Sequence, residues 1–263
     1  MEPDEQGFCE ANGISLYYET YGQGRPLVLV HGGGSSFRFD YRELAVRLRD
    51  RYRLIGIDLQ NHGRSGHRQE PETFEQDARD VIAVVEKLGI AKAFFMGFSN
   101  GGNTVMQIAH LSPAMAEKLI VASSFYKREG MADGFFEGMN LATIDFMPQV
   151  LKENFLSLNP DQSALMNMFE KDSRRMIGFR DWDKSVLRQI KAQVLFIAGD
   201  RDVMKAGHVA EMCREVPGAR LMILPAGHGH YMMADESGHT DQALIDFTAA
   251  QICRFLDAKQ PFT

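Results

Sequence analysis

Three kinds of side chain that together can carry out acyl transfer lie far apart in this chain of 263 residues. They are a serine between glycines in Gly97-Phe98-Ser99-Asn100-Gly101, two acids, Asp200 and Asp202, and two histidines, His228 and His230. A serine hydroxyl attacks a carbonyl poorly until a base takes its proton, and the base in turn needs a group to orient it. Serine, acid, histidine is also the chain order that accompanies a G-x-S-x-G turn set between a strand and a helix. Ser99 could instead serve as the N-cap of the following helix, but a cap has no need of glycine two residues before and two residues after it. "HGGGSS" at 31–36 supplies a fourth element, glycines at a strand end whose N–H groups can bind an oxyanion. The donor pair would be the N–H of Asn100, just after the serine, and that of Gly33 or Gly34.

Such groups act only if the chain brings them to one place. "ISLYYETYG" (14–22), "PLVLVHG" (26–32) and "YRLIGIDL" (52–59) read as strands, the second apolar throughout, as a strand buried on both faces should be. "YRELAVRLRD" (41–50) reads as a helix between the last two of these strands. The clearest helix is "TFEQDARDVIAVVEKLG" (73–89): Thr73 and Gln76 form a capping box, Phe74, Ala78, Val81, Val85 and Leu88 make one apolar face, and Gly89 suits a left-handed C-terminal residue. "AKAFFMGFS", "NGGNTVMQIAHL" and "EKLIVASS" continue as strand, helix and strand. That rhythm predicts a parallel sheet with right-handed crossovers. Both the acid pair and the histidine pair then fall at the carboxyl ends of strands ("LFIAGDRDVM" and "MILPAGHGHYM"), where ligands gather in open parallel sheets.

The rhythm breaks at about residue 124 and resumes at "IKAQVLFIAGD" (190–200). The stretch between is rich in Met and Phe, with short helical patches and the one Trp, Trp182. It is too apolar for a linker and reads as an insertion folded over the sheet. Its Met and Phe side chains suit a core, an adaptable apolar pocket, or both. The chain closes with a helix, a strand and a last helix, 241–257, whose buried face carries Ile245, Ala249, Ile252 and Leu256.

The totals exclude other classes. Apolar residues make up 44% and charged residues 24%, with a formal charge of −6 and no Lys/Arg stripe, which argues against nucleic acid or an anionic membrane as partner. Three scattered cysteines form neither a disulfide framework nor a CxxC pair. The acidic start and short apolar runs point to a cytoplasmic protein without a membrane span. "HGGGSS" lacks the lysine of a phosphate loop, and "GFSNGG" does not satisfy the dinucleotide fingerprint. His228 and His230 with Asp200 or Asp202 lack the defined context of a zinc site. No cofactor and no metal is expected, and the pattern carries no sign of oligomeric state.

With "HGGGSS", "IDLQNHGRSG", "GFSNGG", "AGDRDV" and "AGHGH" in this order, the chain resembles the α/β-hydrolase superfamily along nearly its whole length. The resemblance implies a single domain over 1–263: a mostly parallel eight-stranded sheet flanked by helices, with a helical cap inserted at about 124–188. It also implies Ser99 as nucleophile, Asp202 rather than Asp200 as acid, and His228 rather than His230 as base. Asn61 stands where relatives often have glycine, and tolerates the same positive φ. A serine at the elbow separates this chain from the haloalkane dehalogenase and epoxide hydrolase branches, which carry aspartate there. The implied activity is cleavage of a small ester, lactone or related acyl substrate. Carbon–carbon bond hydrolysis, perhydrolysis, aminopeptidase action and ligand binding with vestigial turnover are the alternatives.

Overall fold

The computed structural model describes residues 1–235 and 237–259. Eight strands form one sheet: β1 (Glu5–Ala11), β2 (Ile14–Tyr21), β3 (Arg25–Val30), β4 (Tyr52–Ile57), β5 (Ala93–Phe98), β6 (Ala116–Ala122), β7 (Gln193–Gly199) and β8 (Arg220–Leu224). Their spatial order is β1-β2-β4-β3-β5-β6-β7-β8. Pairing is antiparallel for β1 with β2 and β2 with β4, and parallel from β4 through β3 to β8. The sequence reading passed over β1. Its signal is the Asn12-Gly13 pair, both at positive φ, which closes a two-residue hairpin into β2.

Outside the β6–β7 connection the helices are α1 (Phe37–Leu48), α2 (Phe74–Lys87), α3 (Asn100–Leu111), α8 (Ala206–Glu215) and α9 (Gln242–Asp257). Between β6 and β7 come α4 (Phe135–Leu141), α5 (Gln149–Leu158), α6 (Gln162–Ile177) and α7 (Lys184–Arg188). α1 begins four residues before the expected position because Ser36 caps it, its Oγ accepting the Phe39 N–H. α6, with 16 residues, is longer than the short patches expected of the insertion; Asp161 caps its first turn. Thr73 caps α2 as expected, though Gln76 turns its side chain to Asp80 instead of completing the box. Among the described residues no helix is long and apolar enough to cross a membrane.

Alternation along each strand sorts its side chains into two cores. Val28, Val30, Phe95, Val121 and Phe196 pack with Val81 and Val84 of α2, Val105 of α3 and Val209 of α8. Leu27, Leu29, Phe94, Met96, Ile120 and Leu195 pack on the other face with Leu44 of α1 and Ile252 of α9. Being buried on both faces, β3 and β5 read as continuous apolar runs.

The strand order reverses between β3 and β5. The chain leaves β3 through α1 towards β4 on one side, and leaves β5 through α3 towards β6 on the other. The crevice opened by that divergence, at the strands' carboxyl ends, is where open α/β sheets bind ligands. Register keeps those ends level: Val30 pairs with Gly97, Phe98 with Ala122, Ala122 with Ile197 and Gly199 with Leu224. Ser99, Ser123, Asp202 and His228 therefore emerge along one rim.

Candidate active site

Ser99 joins β5 to α3 at φ 52°, ψ −121°, a strained backbone for a residue with a side chain. The strain is held by close packing. A methyl group at Gly97 would lie 2.0 Å from the Gly101 carbonyl oxygen, and one at Gly101 would lie 2.1 Å from that of Val30. Only bare backbone lets α3 start this close to the sheet. The Ser99 hydroxyl makes no capping hydrogen bond to α3, while its backbone N–H is tied to the Ala122 carbonyl at 2.8 Å.

Of the two acids, Asp202 reaches an imidazole: its Oδ1 accepts from His228 Nδ1 at 2.7 Å, with the Asp202 side chain fully buried. Asp200 instead accepts the Ala226 N–H at 3.0 Å and shapes the turn into the histidine loop. Burial pushes the Asp202 carboxyl up, but hydrogen bonds from His228 and Ser123 outweigh it, and its pKa lies below the ordinary value. Ser123 donates to Asp202 Oδ2, so the Tyr231 hydroxyl, 2.7 Å away and buried, donates to Ser123. Sequence reasoning missed both partners. Ser123 carried a faint signal, as the residue after β6, but Tyr231 carried none.

The His228 ring packs on Phe98 at 4.7 Å between centroids. His228, Ser99, Asn100, Gly33 and Gly34 share the wall of one cavity of about 360 Å³. His230 lines a different cavity, with Asp200 and Asp235. The two histidines therefore face different spaces, two residues apart on one turn. The rest of the first cavity is mostly apolar and comes largely from the insertion, including Met139, Phe146, Met147, Met168 and Met176. Phe125 and Phe136 went to the core instead.

The loop after β3 is pinned by carboxylates on both sides. Asp40 of α1 accepts the Gly32 N–H at 2.7 Å and the Ser35 hydroxyl at 2.5 Å. Burial raises the Asp40 carboxyl to about 6. Asp172 of α6, which no sequence motif marked, accepts the Gly34 N–H at 2.6 Å. Asp172 also meets His62 Nε2 at 3.1 Å and Arg175, whose other terminal nitrogen reaches Asp77 of α2 at 2.6 Å.

Two neighbouring histidines, with ring centroids 5.1 Å apart, hold opposite charge states for geometric reasons. His31 gives its Nδ1 proton to the Gly32 carbonyl and accepts the Leu59 N–H at Nε2, so it is neutral. Burial and the charge of His62 lower its pKa to about 3. Nδ1 of His62 faces the Gln60 carbonyl at 2.8 Å, while its Nε2 lies 3.1 Å from both Asp172 Oδ2 and the Gly34 nitrogen, and the carboxylate's charge favours a proton there. Burial opposes that charge, but Asp172 prevails and raises the pKa to about 9. His31 is thus bonded wholly within the sheet-end loops, and His62 reaches the insertion through Asp172.

Comparison with known proteins bears on this geometry. Residues 27–241 match the model of the alpha/beta hydrolase family. The AB hydrolase superfamily protein YisY of Bacillus subtilis is 28% identical over 260 residues, spanning 89% of this chain and 96% of that protein. An enol-lactonase from Burkholderia xenovorans LB400 shares the fold with a TM-score of 0.75 at 20% identity, covering 96% of this chain and all of that one. A meta-cleavage product hydrolase from Pseudomonas fluorescens IP01 does so at 0.76 and 17%, covering 95% and 97%. The elbow, the level rim of strand ends and the matched family model lead to one conclusion: the chain belongs to the alpha/beta hydrolase family.

Proposed function

We propose that this protein is a serine hydrolase that cleaves a small ester, lactone or related acyl substrate through an acyl-enzyme, with α4–α7 as the cap of a single domain. Ser99 is the nucleophile, His228 the base and Asp202 the acid. The observation that carries this reading is the His228–Asp202 pair at 2.7 Å, opening on the same cavity as a strained serine. With Nδ1–H held in a hydrogen bond to Asp202, His228 presents Nε2 to take the Ser99 proton as Oγ bonds to the carbonyl carbon. The carbonyl electron pair moves onto oxygen, where the N–H groups of Asn100 and Gly33 receive it. Gly32 and Gly34 have committed theirs to Asp40 and Asp172, which favours Gly33 over Gly34 as the second donor. Collapse expels the alkoxide, protonated by His228. Water, deprotonated by His228, then releases the acid and restores Ser99.

The apolar Met- and Phe-lined cavity suits an uncharged acyl chain of modest size. A fluorophosphonate should label the protein at Ser99, and Ser99→Ala should lower p-nitrophenyl acetate hydrolysis by about 10³-fold or more. Labelling elsewhere, or turnover that survives the substitution, overturns the assignment. A panel of esters, lactones, diketones and peptide amides ranks the substrate classes. Ligand-induced stabilisation without turnover of any of them would indicate a binding protein.

A further inference from the structure

Helix α6 of the insertion is tied to the core by one polar face. Asn167 donates to Asn61 at 2.8 Å, Lys171 donates to the Arg68 carbonyl, Asp172 accepts from Gly34 and His62, and Arg175 reaches Asp77. One of these ties ends on the backbone of the proposed oxyanion loop. We propose that Asp172 is the positioning residue of that loop: by taking the Gly34 N–H it fixes the peptide beside Gly33, so that seating α6 and aligning the Gly33 donor are a single event.

The inference rests on the serine-hydrolase reading and adds a part to it. Carboxylates from two separate elements, Asp40 on the core side and Asp172 on the cap side, hold the N–H groups that flank Gly33. Asp172 is close enough that a methyl group at Gly33 would lie 2.7 Å from its Oδ2. The carboxylate is itself fixed: its three partners are Gly34, the His62 imidazolium and the Arg175 guanidinium, and its side chain is 12% exposed. Burial would raise its pKa, but Arg175 and His62 hold the carboxyl well below the ordinary range, so it is ionised at working pH. Asp172 also lines the cavity beside Ser99, but its oxygens are taken by three donors, which suits it to support the loop.

The electrostatic surroundings give the device a pH signature. His62 faces Asp172 and Arg175 from α6, Glu72 from the loop before α2, Asp77 from the first turn of α2, His31 after β3, and Asp40 from α1. Loss of the His62 proton near pH 9 turns Nε2, 3.1 Å from the Gly34 nitrogen, into a rival acceptor for the Gly34 N–H and so loosens the hold of Asp172 on it.

The test compares Asp172→Ala, Asp172→Asn and Asn167→Ala in the full chain, reading Tm, kcat, KM and the pH profile on a p-nitrophenyl ester. Asp172→Ala should lower kcat by up to about 100-fold, as expected for a misplaced catalytic donor, with KM changed less than threefold. Asp172→Asn, which keeps one oxygen for Gly34, should recover part of the loss and shift the alkaline limb of kcat to lower pH. Asn167→Ala cuts a tie that does not touch the loop, and should leave kcat within about twofold. A wild-type kcat in Asp172→Ala, or an equal loss in Asn167→Ala, overturns the proposal. If Asp172→Ala does not fold, an unmoved alkaline limb in Asp172→Asn overturns it. If the wild type neither labels at Ser99 nor turns over, the hydrolase reading fails first, a distinguishable result.

Discussion

A carboxylate that only orients an imidazole still governs the rate, because it selects the tautomer whose free nitrogen faces the serine. Asp202, the acid of the proposed mechanism, is held by four contacts: His228 Nδ1, the Ser123 hydroxyl, and the N–H groups of Gly199 and Met204, each of the last two at 3.3 Å. Asp202→Asn should therefore lower kcat by about 10³- to 10⁴-fold, whereas Asp200→Asn, which alters a turn bond to Ala226, should change it little. Steady-state kinetics of the two purified variants decide this, and the reverse order would reassign the acid. His228→Ala and His230→Ala make the matching pair. Only the first should abolish fluorophosphonate labelling, because His230 lines another cavity. Spacing could not separate these neighbours. Which of two residues two apart in a loop turns inward depends on the loop's path, and the Gly229 φ of +78° between them sets that path.

At the scale of elements, the β5–α3 elbow stores backbone strain that the packing of α3 on β3 and β5 must sustain. Gly97→Ala places a methyl 2.0 Å from backbone oxygen, which cannot move as a side chain would. The expected cost is about 1–3 kcal/mol or more, visible as a lower urea midpoint, together with loss of labelling at Ser99. Helix α6 shows the complementary case, an element whose apolar and polar faces do different work. Met168 and Met176 point to the cavity, while Asp172 and Arg175 carry a buried chain of charges back to α2. Arg175→Met would remove the guanidinium that Asp77 and Asp172 share, leaving Asp77 to the Gln60 amide and Asp172 to Gly34 and His62. Breaking such a pair from one side costs about 3–5 kcal/mol, which chemical denaturation should show as a large loss of stability at pH 7.

For the molecule as a whole, that charge chain links stability to pH. The folded-state pKa of His62 is raised to about 9, above its ordinary value near 6.5. Its contribution is thus fully present below about pH 6.5 and is lost as pH rises through 9. A shift of that size corresponds to about 3 kcal/mol. Glu72, which burial pushes up to about 7, has the same sign, its contribution falling between about pH 4.5 and 7. The urea midpoint of the wild type should fall between pH 7 and pH 10, and should fall less in His62→Gln. Equal slopes in the two proteins would show that His62 does not titrate in that range.

The amino-acid order alone determined the layered α/β architecture, because residues apolar on both faces of a strand and on one face of a helix leave few other ways to exclude water. It also determined the neighbourhood of the site: glycines at 97 and 101 admit a helix so close to a sheet that the residue between them must stand on the rim. The hairpin at Asn12-Gly13 was equally legible in principle, since local turn chemistry needs no distant partner. The motif wording already favoured Asp202 and His228; tertiary structure brought these two together and added Tyr231, Asp172 and Arg175. These are contacts between residues tens to more than a hundred positions apart, and their pairing depends on how the loops and the β6–β7 helices pack on the sheet. Charge state followed the same division: His31 and His62 are alike in the chain, and the Asp172 carboxylate beside one, against burial without such a partner at the other, makes His62 the cation.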